Sequence, residues 1–315
     1  MKEADINLSS LAKYFSDEAE AYKLIESIRW PNGPVCPHCG VVNRAYHLKN
    51  QRTRSGRVSP RSLWKCAECR KQFTVTVGTI FEDSHIPLSK WLQGAFLMSA
   101  SKNGVAALEL QRTLDLSYKA AWFMAHRLRH AMVREPAASF LKGIVESDET
   151  YIGGRIKGRG KGPQLDNKTA VVTLVERNGE ARSMAVDRVN RDNLATVLQA
   201  HVDPSATLMT DQNTVYALPG REFASHQTVD HQRDEYVRGP VHVNTAEGYF
   251  SQLKRSIDGT HHHVSRRHLP RYLAEFDLRY NLRKVKDGER MAHMIRQTTG
   301  RRLTYREPTG KPKAV

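Results

Sequence analysis

Ile144-Val-Glu-Ser-Asp-Glu-Thr-Tyr-Ile152, followed by Gly153-Gly154, carries β-branched and aromatic residues around a cluster of carboxylates and stops at a glycine pair. Such a run reads as a strand. The period-two geometry of a strand places Glu146 and Asp148 on one face, while Glu149 points the other way. Working outward, residues 170–175 and 183–189 read as two more strands around Asn178-Gly179, a strong hairpin signal. A helix over 192–201 comes next. Ala206-Thr-Leu-Met-Thr-Asp211 is then a buried strand that delivers an aspartate at its end. A short helical segment around Val215, a strand near 227–231 and a long helix from about 245 to 257 complete the series.

The order β-β-β-α-β-α-β-α predicts a mixed α/β sheet with three meandering strands followed by crossover-connected ones, which is a ribonuclease H-like fold. Strand and helix then bring Asp148, Asp211 and Glu247 within reach of one another. Clustered carboxylates repel unless cations neutralise them, so this trio implies hard-metal sites for two Mg²⁺ or Mn²⁺ ions. Two such ions suit an in-line phosphoryl displacement. Asn244, Glu247, Ser251 and Lys254 share one helical face, which puts Lys254 beside the metal site as a cation for DNA phosphate. Glu146 competes with Asp148 in the first strand.

Towards the N-terminus all four cysteines fall in two CxxC pairs, Cys36/Cys39 and Cys66/Cys69, with residues 40–65 between them. Two such knuckles can close a tetrahedral shell of thiolates around one structural Zn²⁺. Gly40 after the first knuckle and a strand over 73–77 after the second complete a zinc ribbon, with His38 a bystander. From Pro87 the apolar spacing is helical. Residues 105–114 and 118–134 form two helices around Asp115-Leu-Ser117, in which Ser117 caps the second. The second helix carries Tyr118, Lys119, Trp122, His126, Arg127 and Arg129, the composition of a DNA-binding helix-turn-helix.

The expected organisation is therefore multidomain α+β: a helical segment over 1–30, a zinc ribbon over 31–82, a helix-turn-helix region over 85–135, the α/β catalytic domain over 143–285, and a basic tail over 286–315. The tail is expected to be disordered from Thr298 onward.

The composition points to a polyanion. Of 315 residues, 49 are Lys or Arg and 33 Asp or Glu, a net charge of +16. The excess is clustered: residues 44–71 hold nine basic residues against the single acid Glu68, and from Lys254 onward sixteen stand against six. That is the footprint of phosphate binding. A mean hydropathy of −0.57, with no apolar run of membrane-spanning length and no secretory signal, predicts a cytoplasmic, nucleoid-associated protein with no membrane partner. Arg155, Lys157 and Arg159, in a glycine-interrupted loop, are candidates to grip a DNA backbone along with Lys119, Arg127 and Lys254. Three adjacent imidazoles, His261 to His263, cannot easily converge on one ion and read as a surface or DNA-facing turn.

Glu146-Ser-Asp-Glu-Thr-Tyr-Ile-Gly-Gly154, Thr210-Asp-Gln212, His242-Val-Asn-Thr-Ala-Glu-Gly-Tyr-Phe250 with Lys254, and Tyr272-Leu-Ala-Glu-Phe-Asp-Leu-Arg-Tyr-Asn281 together resemble the ISXO-like insertion-sequence transposases of the DDE superfamily, with their retroviral-integrase-type core. The resemblance implies Asp148, Asp211 and Glu247 as the catalytic triad, Lys254 as helper lysine, and double-stranded DNA (element ends and target) as partner. Asn244 remains a rival to Glu247, because some relatives use asparagine there. The expected assembly is a homo-oligomer on DNA. Two other readings stay open: a DNA-binding regulator whose α/β module only scaffolds, and a structure-specific nuclease.

Overall fold

The computed structural model describes residues 3–49, 52, 56, 59–134, 139–153, 168–230, 233 and 235–310. The chain divides into two compact units, residues 1–132 with 284–315, and residues 133–283.

In the first unit, α1 (Leu8–Ser16) starts at an Asn7–Ser10 capping box, and α2 (Glu18–Arg29) starts at Asp17, whose carboxylate accepts from the N–H groups of Ala19 and Glu20. Each cap satisfies donors that a helix start leaves orphaned. The antiparallel strands β1 (Ala45–His47), β2 (Trp64–Cys66) and β3 (Gln72–Phe73) follow in that spatial order. Trp30, at the end of α2, meets Trp64 and Phe73 edge-on, at 6.1 and 5.9 Å between ring centres. Trp64 Nε1 also donates to Glu26 on α2 at 2.8 Å. The strand expected over 73–77 ends early. After Phe73 the chain turns, closed by Val77 N–H to the Thr74 carbonyl, and Arg29 donates to the Val75 carbonyl, so that group bonds to a side chain instead of a ladder.

The helices α3 (Leu88–Ala100), α4 (Ala107–Leu114) and α5 (Tyr118–Met132) pack with Trp91, Leu92, Leu110, Met124 and Leu128 buried. Asp115, in left-handed conformation at φ +48°, ends α4, and Ser117 Oγ accepts from Ala120 N–H at 3.2 Å to start α5. α3 has no cap of its own. The Glu18 carboxylate, 70 residues away in sequence, accepts from Leu88 and Ser89 N–H at 2.6 and 3.0 Å.

The second unit is a five-stranded sheet built from β4 (Ile144–Ile152), β5 (Thr169–Glu176), β6 (Ala181–Val186), β7 (Thr207–Asp211) and β8 (Ser225–Val229), in the order β6-β5-β4-β7-β8. β4, β5 and β6 are antiparallel, while β7 and β8 run parallel to β4. Asn178 takes φ +62° in the β5–β6 turn, as its Asn-Gly sequence favours. One face of the sheet buries Val145, Val172 and Leu174 with Leu194 and Leu198 of α6 (Arg191–His201). The other buries Ile152, Val171 and Val175 with Ala246, Tyr249 and Phe250 of α7 (Asn244–Ser256) and with Leu273 and Phe276 of α8 (Leu269–Asn281). Alternation along each strand sends successive side chains to these two cores.

From Lys284 the chain returns to the first unit through α9 (Asp287–Arg296) and the short α10 (Arg306–Thr309). A Cβ on Gly288 would lie 2.5 Å from Ile6, so only glycine fits this contact. The expected disorder from Thr298 is corrected over residues 298–310. Arg301 and Leu303 are buried, and Arg301 donates to the His130 carbonyl at 3.1 Å. Residues 311–315 of that tail lie outside the described residues.

Candidate active site and metal centre

The two knuckles bring Cys36, Cys39, Cys66 and Cys69 together with all four sulfurs within 4.8 Å of one another, and none is in a disulfide. Sulfur pairs lie 3.6 Å (Cys36–Cys69) and 3.7 Å (Cys39–Cys66) apart. Each knuckle turns at a left-handed residue just after its second cysteine, Gly40 at φ +77° and Arg70 at φ +61°. Burial alone would raise the Cys66 thiol, but the N–H groups of Cys69 and Glu68 and the neighbouring thiols bring it down to about 7. Four soft donors in a closed group fit a structural zinc site. His38 stays outside it, with Nε2 3.3 Å from the Gln72 carbonyl.

In the second unit β4 and β7 pair in parallel with Glu146 opposite Met209. The pairing ends there; carried two residues on, the same offset points Asp148 at Asp211, the last residue of β7. Burial, opposed by a hydrogen bond from Glu149 N–H and reinforced by the negative charges of Glu149, Asp211 and Glu247, pushes the Asp148 carboxyl up to about 7. The charges of Asp211 and Glu247 thus both reach Asp148. Among the described residues, however, only the cysteines form a tight group of potential ligand atoms. Glu247 and Asn244 are both exposed on α7, as are Ser251 and Lys254 further along it.

Sequence reasoning did not find the groups that support these acids. Asp211 accepts from Asn213 N–H at 3.1 Å. Glu149 accepts from Asn213 Nδ2 and from the hydroxyl of the buried Tyr216, both at 2.8 Å. Burial and then the charge of Asp211 raise the Glu149 carboxyl, against these hydrogen bonds. Glu146 is fully buried and turned into a network with Arg177 and the start of α7. Apart from Asn213 beside Asp211, these partners come from 31 to 100 residues away, where no local pattern announces them.

The DNA-contact candidates divide. Lys119 is exposed, its ammonium 4.5 Å from the Tyr305 ring centre. Arg127 is corrected: it is buried, and its guanidinium donates to the carbonyls of Leu303, Ile80 and Glu82 at 3.0, 2.8 and 2.9 Å. His126 and Arg129 are buried too, so beyond its first turns α5 is a core helix. Arg155, Lys157 and Arg159 lie outside the described residues. Two of the three imidazoles have different partners: His261 meets the Tyr272 ring edge-on at 4.8 Å, and His262 Nδ1 sits 2.9 Å from the Asp258 carbonyl. No helix among the described residues is long and apolar enough to cross a membrane.

Residues 140–281 match the ISXO2-like transposase domain, and residues 16–72 match the transposase zinc-ribbon domain. The chain is also 30% identical over 283 residues to an uncharacterized protein in transposable element ISH50 of Halobacterium salinarum, a match covering 85% of this chain and 92% of that protein. With a four-cysteine centre in the ribbon and an acid-bearing sheet in the second unit, this chain belongs to the ISXO2-like insertion-sequence transposases.

Proposed function

We propose that the protein binds the terminal inverted repeats of its own element and catalyses metal-dependent strand cleavage and strand transfer on double-stranded DNA. The observation that supports this reading is the parallel β4–β7 pairing, whose offset carried two residues on points Asp148 at Asp211, together with the charge of Glu247 reaching Asp148. The sheet order β6-β5-β4-β7-β8 supports a ribonuclease H-like core. The donor set is all carboxylate oxygen, and the Asp148 carboxyl is raised by burial first and then by the negative charges of Glu149, Asp211 and Glu247. Both fit hard divalent cations. Asp148, Asp211 and Glu247 would hold two Mg²⁺ or Mn²⁺ ions. Bound there, the ions would activate the attacking oxygen and stabilise the leaving oxygen of an in-line displacement.

Lys254, seven residues beyond Glu247 and so roughly 10 Å along α7, holds a DNA phosphate. α4, the Asp115 turn and α5 serve as a helix-turn-helix, with Tyr118 and Lys119 exposed at the end of α5 that reads bases. The ribbon's four thiolates hold one Zn²⁺. The enzyme works as a homo-oligomer on DNA and associates with the nucleoid.

Replacing Asp148, Asp211 or Glu247 by its amide should lower cleavage and joining in Mg²⁺ by about 10³-fold or more while binding to element ends survives. Full joining by both Asp148→Asn and Asp211→Asn would refute the mechanism. An active Glu247→Gln beside an inactive Asn244→Ala would move the third role to Asn244.

A further inference from the structure

By residue type and strand face, Glu146 is as eligible a metal ligand as Asp148. Its surroundings assign it a different task. Its carboxylate is fully buried, and both oxygens are already engaged. Oε1 accepts from Arg177 Nε at 2.6 Å and from Thr245 Oγ1 at 2.9 Å, and His242 Nδ1 lies 3.2 Å away. Oε2 accepts from the N–H groups of Thr245 and Ala246 at 2.8 and 3.1 Å. Arg177 in turn donates to the carbonyls of Pro240 at 2.7 Å and His242 at 2.9 Å. One ion pair therefore ties the segment entering α7, and its first turn, to the first part of β4.

α7 needs such a tie. Val243, at the capping position before Asn244, offers no side-chain cap, and a helix start leaves four N–H groups without partners. A carboxylate at that end satisfies two of them and lies favourably in the helix dipole. The cap comes from the strand that carries Asp148. Asp148 stands two residues beyond Glu146, roughly 7 Å along β4. Glu247 stands two residues beyond Thr245, roughly 3 Å along the helix axis. The Glu146–Thr245 contact is thus a short strut between the two elements that carry these acids.

We infer that Glu146, with Arg177 as its counter-charge, is a positioning residue that holds Glu247 in register with Asp148, and that Glu146 does not ligate the catalytic ions. The inference rests on the transposase reading above for its kinetic consequence, but not for its structural one.

The test uses full-length protein carrying Glu146→Gln, Arg177→Met or both, each kept well below its unfolding transition. In protein free of added metal and DNA, amide exchange over residues 244–250 should accelerate about tenfold or more in both single variants, because the α7 start opens locally. Exchange in β5 and β6 should not change. Unchanged exchange at the start of α7 overturns the proposal whether or not the chain is a transposase.

Joining assays across a Mg²⁺ titration should then show kcat lowered about tenfold or more, a raised half-saturating Mg²⁺ concentration and an unchanged KM for DNA in each single variant. The double variant should be no worse than the poorer single, as expected of two groups acting as one unit. Additive losses, or Mn²⁺ stoichiometry that falls in Glu146→Gln but not in Arg177→Met, would make Glu146 a ligand and overturn the proposal. If Arg177→Met does not fold, Thr245→Val, which replaces the hydroxyl by a methyl and keeps both backbone N–H donors, takes its place, with smaller changes expected in the same direction. Accelerated exchange combined with equal inactivity of the wild type and Asp148→Asn would refute the transposase reading and leave the strut standing.

Discussion

The side-chain amide of Asn281 on α8 pairs with both backbone groups of Ala181: Oδ1 accepts from the Ala181 N–H at 2.7 Å, and Nδ2 donates to its carbonyl at 3.0 Å. One helical turn earlier, the Asp277 carboxylate accepts from Ser183 N–H at 2.8 Å. α8 thereby occupies the free edge of β6 with side chains that act as a neighbouring strand would. An open edge would otherwise present unpaired donors and acceptors to other chains.

Asn281→Ala should leave both Ala181 groups without protein partners and cost about 1–3 kcal/mol of stability. Urea unfolding should show a lowered midpoint with an unchanged slope. An unchanged midpoint would mean that water replaces the amide at no cost.

Asp277 also accepts from the buried Tyr249 hydroxyl at 2.6 Å. Burial pushes its carboxyl up to about 7, against hydrogen bonds from Tyr249 and Ser183 and the charge of Arg134. The native state therefore holds this proton over a range in which the unfolded chain has already lost it. Stability contributed by Asp277 is greatest near pH 4 and falls as pH rises towards 7, by about 1.4 kcal/mol per unit of separation between the two pKa values. Melting curves of Asp277→Asn should lack this part of the decline. Parallel wild-type and variant profiles from pH 4.5 to 8 would contradict it.

Arg127 and Lys119 occupy the same helix and should fail in different ways. Arg127→Ala removes a buried guanidinium from three carbonyls and should destabilise the first unit by about 3 kcal/mol or more. Lys119→Ala should leave the melting temperature within experimental scatter, weaken DNA binding and reduce the salt dependence by about one phosphate contact. Calorimetry and DNA titrations at two salt concentrations separate the two outcomes.

Gly40 takes φ +77° directly after Cys39. A β-branched side chain is strained in that conformation, by roughly 1–2 kcal/mol, so Gly40→Val should loosen the first knuckle. Zinc should pass to a competing chelator several-fold faster than from wild type, while Gly179→Ala in the other unit should not change that rate. Equal release rates would show that the knuckle tolerates the strain.

The sequence by itself determined the features whose causes are local. Two CxxC pairs, the first followed by Gly40, define the ribbon's knuckles, because each knuckle is a turn of a few residues. The Asn178-Gly179 turn and the β-branched runs around it define the β5–β6 hairpin for the same reason. Asp211 was legible as an acid at the end of a buried strand. Only the tertiary structure decided what Glu146 and Arg127 do. Strand alternation puts Glu146 on the same face as Asp148, and nothing within β4 distinguishes the two. The distinction comes from Arg177 and Thr245, 31 and 99 residues away. Arg127 reads as a basic residue on a candidate DNA-binding helix until the Leu303 carbonyl, 176 residues away, receives it. A charged side chain is assigned by the partners that desolvate it, and those partners are brought to it by folding.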